Sequence, residues 1–194
     1  MVKWFLASLV ALSLYAPTLA LANTPSPRAE MQKTLDDIIK TVGIYPGDDQ
    51  KDTRRGKLRE IINPKFNFNE MARRSLGTNW NDITPEQQKE FTKVFSELLA
   101  RTYLSKIETV KPGMVKVESE EVESSKAVVK TTVLSKGDTF PIDYKLMLDG
   151  SNWQVYDVVI ENIGLVANYR NEFSGIIRKE KFAGLMERLH KKIA

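Results

Sequence analysis

The sequence contains no cysteine and one histidine among its 194 residues. Without cysteine the chain offers no disulfide, no thiolate metal ligand, no thiol nucleophile and no N-terminal lipoprotein anchor. His190 lies in a basic tail beside Lys191 and Lys192, without an evident partner for general-base catalysis. No nucleophile elbow, zinc-protease helix or Walker sequence occurs. We therefore predict no catalytic residue and no metal site; a secreted hydrolase that uses His190 is the enzymatic alternative.

Net charge is also small. There are 29 basic and 25 acidic residues, for a formal net charge of +4, which is too mild to indicate nucleic-acid binding. The basic pairs Arg54–Arg55, Arg73–Arg74 and Lys191–Lys192 are short and interrupted by acids. Solvated helix faces are their simplest interpretation, and weak attraction to an anionic membrane or an acidic partner is the alternative.

Long apolar runs are absent except at the N-terminus. Lys3 precedes an uncharged, mostly apolar run from Trp4 to Ala16, and Ala20–Ala22 matches the small-x-small pattern of a cleavage site. The run is shorter than the roughly 20 residues of a transmembrane helix, although an uncleaved anchor is an alternative. We predict a cleaved signal peptide over residues 1–22 and one exported domain over residues 23–194.

The exported part begins with helix signals. Ser26–Pro27 is typical of a helix start, and Asn67 with Glu70 predicts a capping box for a short helix. Thr84–Gln87 combines a hydroxyl cap, a proline and a glutamine, which predicts the start of a long amphipathic helix. Pro112–Gly113 ends that helix.

Four β segments follow, and two helices close the chain. The segments are Met114–Val122, Lys126–Leu134, Thr139–Leu148 and Trp153–Glu161. Apolar and polar residues alternate in the third segment, as in an antiparallel sheet with one buried face. The final helices carry apolar stripes that begin at Leu165 and Phe182. The predicted fold class is α+β, with N-terminal helices, a four-stranded antiparallel sheet and C-terminal helices.

Many aromatic residues fall where a helix stripe would face the inner side of the sheet, among them Phe95, Tyr144, Tyr169 and Phe173. Periodicity alone favours a filled core, and it does not distinguish a core from a lined cavity. An interaction module with an aromatic core is therefore one hypothesis, and a binding protein with an apolar cavity is another.

Two blocks of sequence resemble the MlaC family, exported lipid-binding components of ABC-type lipid transport systems, also described as toluene-tolerance proteins. Phe66–Tyr103 contains FNFNEMARRSLGTNW, TPEQQKEF and FSELLARTY. Trp153–Phe173 reads WQVYDVVIENIGLVANYRNEF, and Ser174–Leu189 continues the similarity. One departure is Gly164, where family members commonly have serine before Leu-Val, so no hydroxyl is available there.

The resemblance implies a twisted sheet and a deep apolar pocket that takes phospholipid acyl chains, with no enzymatic activity and no cofactor other than the lipid cargo. It further implies a periplasmic, monomeric shuttle that maintains outer-membrane lipid asymmetry. Its partners would be an inner-membrane ABC transporter complex and an outer-membrane lipoprotein–porin complex. A hopanoid or another apolar lipid is the alternative cargo.

The candidate pocket walls are apolar residues of these two blocks and of the third β segment. They are Met71, Leu76, Phe95, Leu99, Tyr103, Tyr144, Leu146, Tyr156, Val158, Leu165, Tyr169 and Phe173. Arg74 and Arg170 each lie beside a family-like hydrophobic position, and we predict that they contact the lipid phosphate or a partner protein.

Overall fold

The computed structural model describes residues 25–135 and 137–194, which contain five α-helices, two short 3-10 helices (Asn63–Lys65 and Gly77–Asp82) and one antiparallel sheet. The helices are α1 (Pro27–Ile44), α2 (Lys51–Ile62), α3 (Phe68–Leu76), α4 (Pro85–Ile107) and α5 (Leu165–Ile193). The strands are β1 (Val115–Glu123), β2 (Lys126–Ser135), β3 (Asp138–Asp149), β4 (Asn152–Ile160) and β5 (Ile163–Gly164). The predicted signal peptide lies outside the described residues.

The helix starts follow the local signals in the sequence. Ser26 Oγ accepts a hydrogen bond from the Ala29 N–H at 3.1 Å. Thr84 and Gln87 form the reciprocal capping box, with bonds of 2.9 and 3.3 Å. Asn67 accepts from the Glu70 N–H at 2.9 Å, but the Glu70 carboxylate binds arginines instead of reaching back. Half of that predicted box therefore forms.

The sheet is an antiparallel meander in the order β1-β2-β3-β4-β5. The α+β class is confirmed, but the prediction of four strands is wrong by one. Strand β5 has two residues and pairs with the end of β4 through Val159↔Gly164 and Ile160↔Ile163. Such a short strand carries no periodicity, so the pattern of apolar residues could not indicate it.

Strand β4 contains a bulge at Tyr156. Tyr144 pairs with Val158 and Leu146 pairs with Val155, which leaves Tyr156 as an extra residue in the ladder. Because residues two apart in a strand share a face, Tyr144 and Leu146 point the same way, and so do their partners Val155 and Val158. The bulge thus places two valines of β4 on the buried face of the sheet.

Two apolar clusters fill most of the interior. The helix cluster consists of buried residues of α3, α4 and α5, including Met71, Leu76, Phe91, Phe95, Phe173 and Leu185. The sheet cluster joins α1 to the buried face of the sheet through Met31, Leu35, Val117, Val129, Leu146 and Val155. Phe66 and Val158 pack against both clusters and so mark the junction between them.

Helix α5 is broken at Lys181, whose backbone has φ 63° and ψ 179°. The two predicted C-terminal helices are therefore its two halves. The second half folds back against the helix cluster through Leu185, Met186 and Leu189. Among the described residues, no helix combines the length and the apolar character that crossing a membrane would require.

Candidate functional site

Eight of the twelve predicted wall residues are buried. Seven of these belong to the helix cluster, namely Met71, Leu76, Phe95, Leu99, Leu165, Tyr169 and Phe173. Leu146 belongs to the sheet cluster. The other four, Tyr103, Tyr144, Tyr156 and Val158, are half-buried. The predicted wall is therefore divided between the two clusters, and Val158 lies where they meet.

An aromatic group joins α4 to the first half of α5. Phe95 meets Tyr169 edge to face, with ring centroids 5.1 Å apart, and meets Phe173 in the same way at 5.6 Å. Tyr169 and Phe173 are themselves 5.3 Å apart. Residues four apart lie on one face of a helix, which is why Tyr169 and Phe173 both reach Phe95. Edge-to-face pairs contribute about 0.5–1.5 kcal/mol each beyond area burial, so this part of the wall is well fixed.

Tyr144 brings a hydroxyl into the apolar surroundings of the sheet cluster. Burial alone raises the pKa of Tyr144 to about 12. Burial is also the main cause that raises the pKa of Tyr103 and of Tyr169. At neutral pH these three phenols are uncharged hydrogen-bond donors, the type of group that orients a mostly apolar ligand.

The two predicted arginines lie together at the C-terminal end of α3. Arg170 Nε donates to the Arg74 carbonyl oxygen at 2.7 Å, although the two residues are 96 positions apart. The Arg74 guanidinium carbon lies 4.4 Å from the centroid of the Tyr156 ring, a cation–π contact. Tyr156, the bulge residue and a predicted wall residue, thus lies against Arg74.

Glu70 is the acidic member of this group and is not among the predicted site residues. Its carboxylate accepts two bonds from Arg73, at 2.7 and 2.8 Å, and one from Arg74 at 2.6 Å. The hydrogen bond from Arg73 is the largest cause that lowers the pKa of Glu70, and Arg74 adds to it. The spacing of three and four residues on one helix was the signal that could have indicated these pairs.

Asp157 holds the start of α5. Its Oδ1 accepts a hydrogen bond from the Val166 N–H at 3.0 Å, and its Oδ2 lies 3.6 Å from Lys145 Nζ. Gly164, at the N-cap of α5, has no side chain to cap the helix. The carboxylate of a strand residue thus performs the capping that a serine at position 164 would offer.

Two surface clefts lie apart from the predicted walls. One, of about 200 Å³, lies between the two halves of α5 and is lined by Glu172, Ile176, Arg188 and Leu189, among others. The other, of about 410 Å³, lies between Phe68 of α3 and the exposed face of α4. None of the twelve predicted wall residues lines either cleft. The acyl-chain pocket therefore stays a prediction.

His190, the residue of the enzymatic alternative, lies at the surface. His190 Nε2 is 3.1 Å from Glu90 Oε1, and both side chains are more than half exposed. Within residues 25–135 and 137–194, no three His, Asp or Glu side chains are grouped to hold a metal ion.

Comparisons with known proteins agree with this architecture. The family model described as MlaC protein matches residues 32–191. A curated relative, the intermembrane phospholipid transport system binding protein MlaC of Haemophilus influenzae, is 20% identical over 195 residues, which span 96% of this chain and 91% of the relative. The structure of the phospholipid-binding protein from Ralstonia solanacearum in complex with a phospholipid has a TM-score of 0.77 and 26% identity, covering 87% of this chain and 97% of that one.

Proposed function

Because the chain belongs to the MlaC family, we propose that it is a periplasmic carrier that binds the acyl chains of a phospholipid in an apolar pocket. It moves the lipid between an outer-membrane lipoprotein–porin complex and an inner-membrane ABC transporter complex, and it does no chemistry on its cargo. The observation that supports this most is the similarity of the whole domain to a protein whose structure contains a phospholipid.

The distribution of apolar residues suits such a carrier. Acyl chains gain about 0.8 kcal/mol for each methylene removed from water, so two ordinary chains correspond to a gross gain on the order of 20 kcal/mol. The predicted wall residues come from both clusters, and Phe66 and Val158 touch both. Acyl chains that contact all of these residues would lie at the junction and separate the helix cluster from the sheet cluster there.

The arginine pair suits the polar end of the lipid. Arg74 and Arg170 use their Nε atoms for Glu70 and for a backbone carbonyl. Their terminal N–H groups remain for an anionic ligand, and arginine binds phosphate in a bidentate manner. Arg170 is exposed, as a contact with a lipid phosphate at the pocket mouth, or with a partner protein, requires.

Native mass spectrometry of the protein purified from the periplasm tests the carrier function. We expect bound phospholipid, and lipid extraction would distinguish it from a hopanoid, which lacks the phosphate that the arginines would bind. Protein that carries no lipid and takes none up from phospholipid vesicles would overturn the proposal. A hydrolytic activity lost in His190→Ala would instead support the enzymatic alternative.

A matched pair of variants locates the pocket. Val158→Trp enlarges a half-buried side chain at the junction and should abolish lipid binding, whereas Val122→Trp adds the same bulk on an exposed position of β1 and should not. Thermal unfolding of both variants shows whether the fold is kept. Equal lipid content in the two folded variants would exclude the junction as the binding site.

A further inference from the structure

The corner between the two halves of α5 exposes cations that the carboxylates of the same helix do not neutralise. Arg178, Lys179 and Lys181 are all exposed. Helix α5 carries seven Lys or Arg residues and three Glu, and each Glu is bound elsewhere. Glu180 binds Arg188 at 2.6 Å, Glu187 binds Lys191 at 2.6 Å and Glu172 binds Lys192 at 2.9 Å. We call Arg178, Lys179 and Lys181 the basic corner.

The other arginine pairs of the chain each share one carboxylate within the fold. Arg54 and Arg55 both bind the carboxylate of Glu108, at 3.1 and 2.9 Å. Arg73 and Arg74 both bind Glu70. For the basic corner, no salt bridge is formed with any side chain in the described part of the chain. Its charge is therefore available to a partner outside the molecule.

The break in α5 places the basic corner beside the N-terminal half of α4. At the turn, the Phe182 ring lies 6.2 Å from Phe91, near the start of α4. Leu104, near the other end of α4, packs with Ile38 of α1 and Leu58 of α2. Thirteen residues of helix separate Phe91 from Leu104, which corresponds to about 20 Å. The corner is thus far from the α1–α2 end.

We propose that the basic corner binds the anionic headgroups of a phospholipid bilayer. Lysine is a hydrated point charge that needs no fixed bidentate partner, so a diffuse anionic surface suits it better than a defined carboxylate. Residues 115–164, which include the whole sheet, contain nine acidic and five basic residues. A negative bilayer therefore repels the sheet and attracts α5, and this orients the molecule with the corner toward the membrane.

Co-sedimentation with vesicles tests this surface. The wild-type chain should bind vesicles that contain phosphatidylglycerol and should not bind vesicles of phosphatidylcholine alone. Each basic residue near an anionic surface strengthens binding by a factor of about five. We therefore expect the triple variant Arg178→Gln, Lys179→Gln, Lys181→Gln to bind roughly a hundredfold more weakly. Raising the salt from about 0.01 M to about 1 M shortens the screening length about tenfold and should release the wild type.

A second triple variant is the matched control. Lys40→Gln, Lys51→Gln and Lys111→Gln remove the same net charge from exposed positions in α1, in α2 and after α4. This control should keep vesicle binding. Equal loss in both triple variants would show an effect of net charge only and would overturn the proposal.

Three other outcomes are decisive. A wild type that does not bind anionic vesicles would overturn the proposal. Binding to poly-L-glutamate but not to those vesicles, lost in the corner variant, would assign the corner to an acidic protein instead. Co-sedimentation measures binding and not lipid content, so a protein that binds the vesicles but carries no lipid and takes none up would keep the basic corner and overturn the carrier function.

Discussion

Asp157 caps a helix that begins eight residues after it: its Oδ1 accepts the N–H of Val166 at 3.0 Å. This bond joins β4 to α5 and fixes the direction in which α5 leaves the sheet. Asp157 is 8% exposed, so the loss of its carboxylate would leave a buried N–H without an acceptor. The position of Tyr169 and Phe173 relative to Phe95 depends on this start of α5.

Asp157→Ala should therefore destabilise the fold. We expect the free energy of unfolding to fall by about 1–2 kcal/mol, the usual effect of removing a helix N-cap. Urea unfolding measures the change. Asp157→Asn keeps an acceptor oxygen and should lose less stability. An equal loss of stability in both variants would contradict a capping role.

Gly164→Ser should compensate for the loss of Asp157. Gly164 has φ −70° and ψ 125°, a conformation open to serine. A Cβ added there would lie 3.4 Å from Asp157 Oδ2 and 3.7 Å from Ala167 Cβ, which is ordinary contact. In the Asp157→Ala background, the hydroxyl should restore part of the lost stability, up to about 1 kcal/mol. An identical effect of Gly164→Ser with and without Asp157 would show that the two caps are independent.

Lys181→Gly should stabilise the chain. Lys181 combines φ 63° with ψ 179°, a region that glycine occupies freely and that costs other residues on the order of 1–3 kcal/mol. We expect a gain of about 1 kcal/mol in the free energy of unfolding. Lys179→Gly lies within the first half of α5 and should destabilise by about 1 kcal/mol, since glycine is a poor helix former. Both variants remove one lysine charge, so opposite signs of the two changes in unfolding free energy would show relief of backbone strain and not an effect of charge.

Glu70 should make the free energy of unfolding depend on pH in the acidic range. The arginines lower the pKa of its carboxyl in the folded state, so its contribution is present above the unfolded pKa of about 4.3 and is lost as pH falls through the folded pKa. Glu70→Gln should cost about 1 kcal/mol at pH 7, and the difference from wild type should disappear in strong acid. Urea unfolding over pH 2–7 measures this. Glu123→Gln, on an exposed position of β1, should show no comparable difference.

Tyr144 should contribute to the loss of stability at high pH. Its pKa is raised to about 12 in the fold, so stability is complete below the unfolded pKa of about 10 and is lost as pH rises through the folded value. Tyr144→Phe should remove the part of the stability loss at high pH that comes from this hydroxyl. It should lower the free energy of unfolding at pH 7 by less than about 1.5 kcal/mol, because the ring and its packing are kept. Tyrosinate absorbance checks the assignment: the variant should lack one phenol that titrates late.

Local signals in the sequence predicted much of the fold. The Thr84–Gln87 capping box depends on neighbouring residues and marks the start of α4, whereas the helix ends at Ile107, five residues before the predicted break at Pro112–Gly113. Strand β5 could not be predicted, because two residues contain no alternation. The bond between Asp157 and Val166 joins a strand to a helix, and no pattern of spacing encodes such a pair.

The site was predicted less completely, for a physical reason. Apolar periodicity identifies the buried side of an element but not the surface it faces. Phe95 and Tyr169 were assigned to a lipid wall, and they also contact each other. Arg74 and Arg170 were selected through the family resemblance, and their contact joins α3 to α5 across 96 positions. Asp157 received no role because its partner depends on the tertiary fold. The partners of Glu70 lie three and four residues along the same helix, and that local signal was not used.

The bulge in β4 has a consequence for how this strand can vary in length. Tyr156 stands outside the ladder, so a chain without it would still pair Val155 with Leu146 and Val158 with Tyr144. Strand register therefore imposes no requirement for a residue at this position. What the extra residue provides is the ring beneath Arg74. We expect homologous chains that shorten β4 by this one residue to have lost the arginine as well.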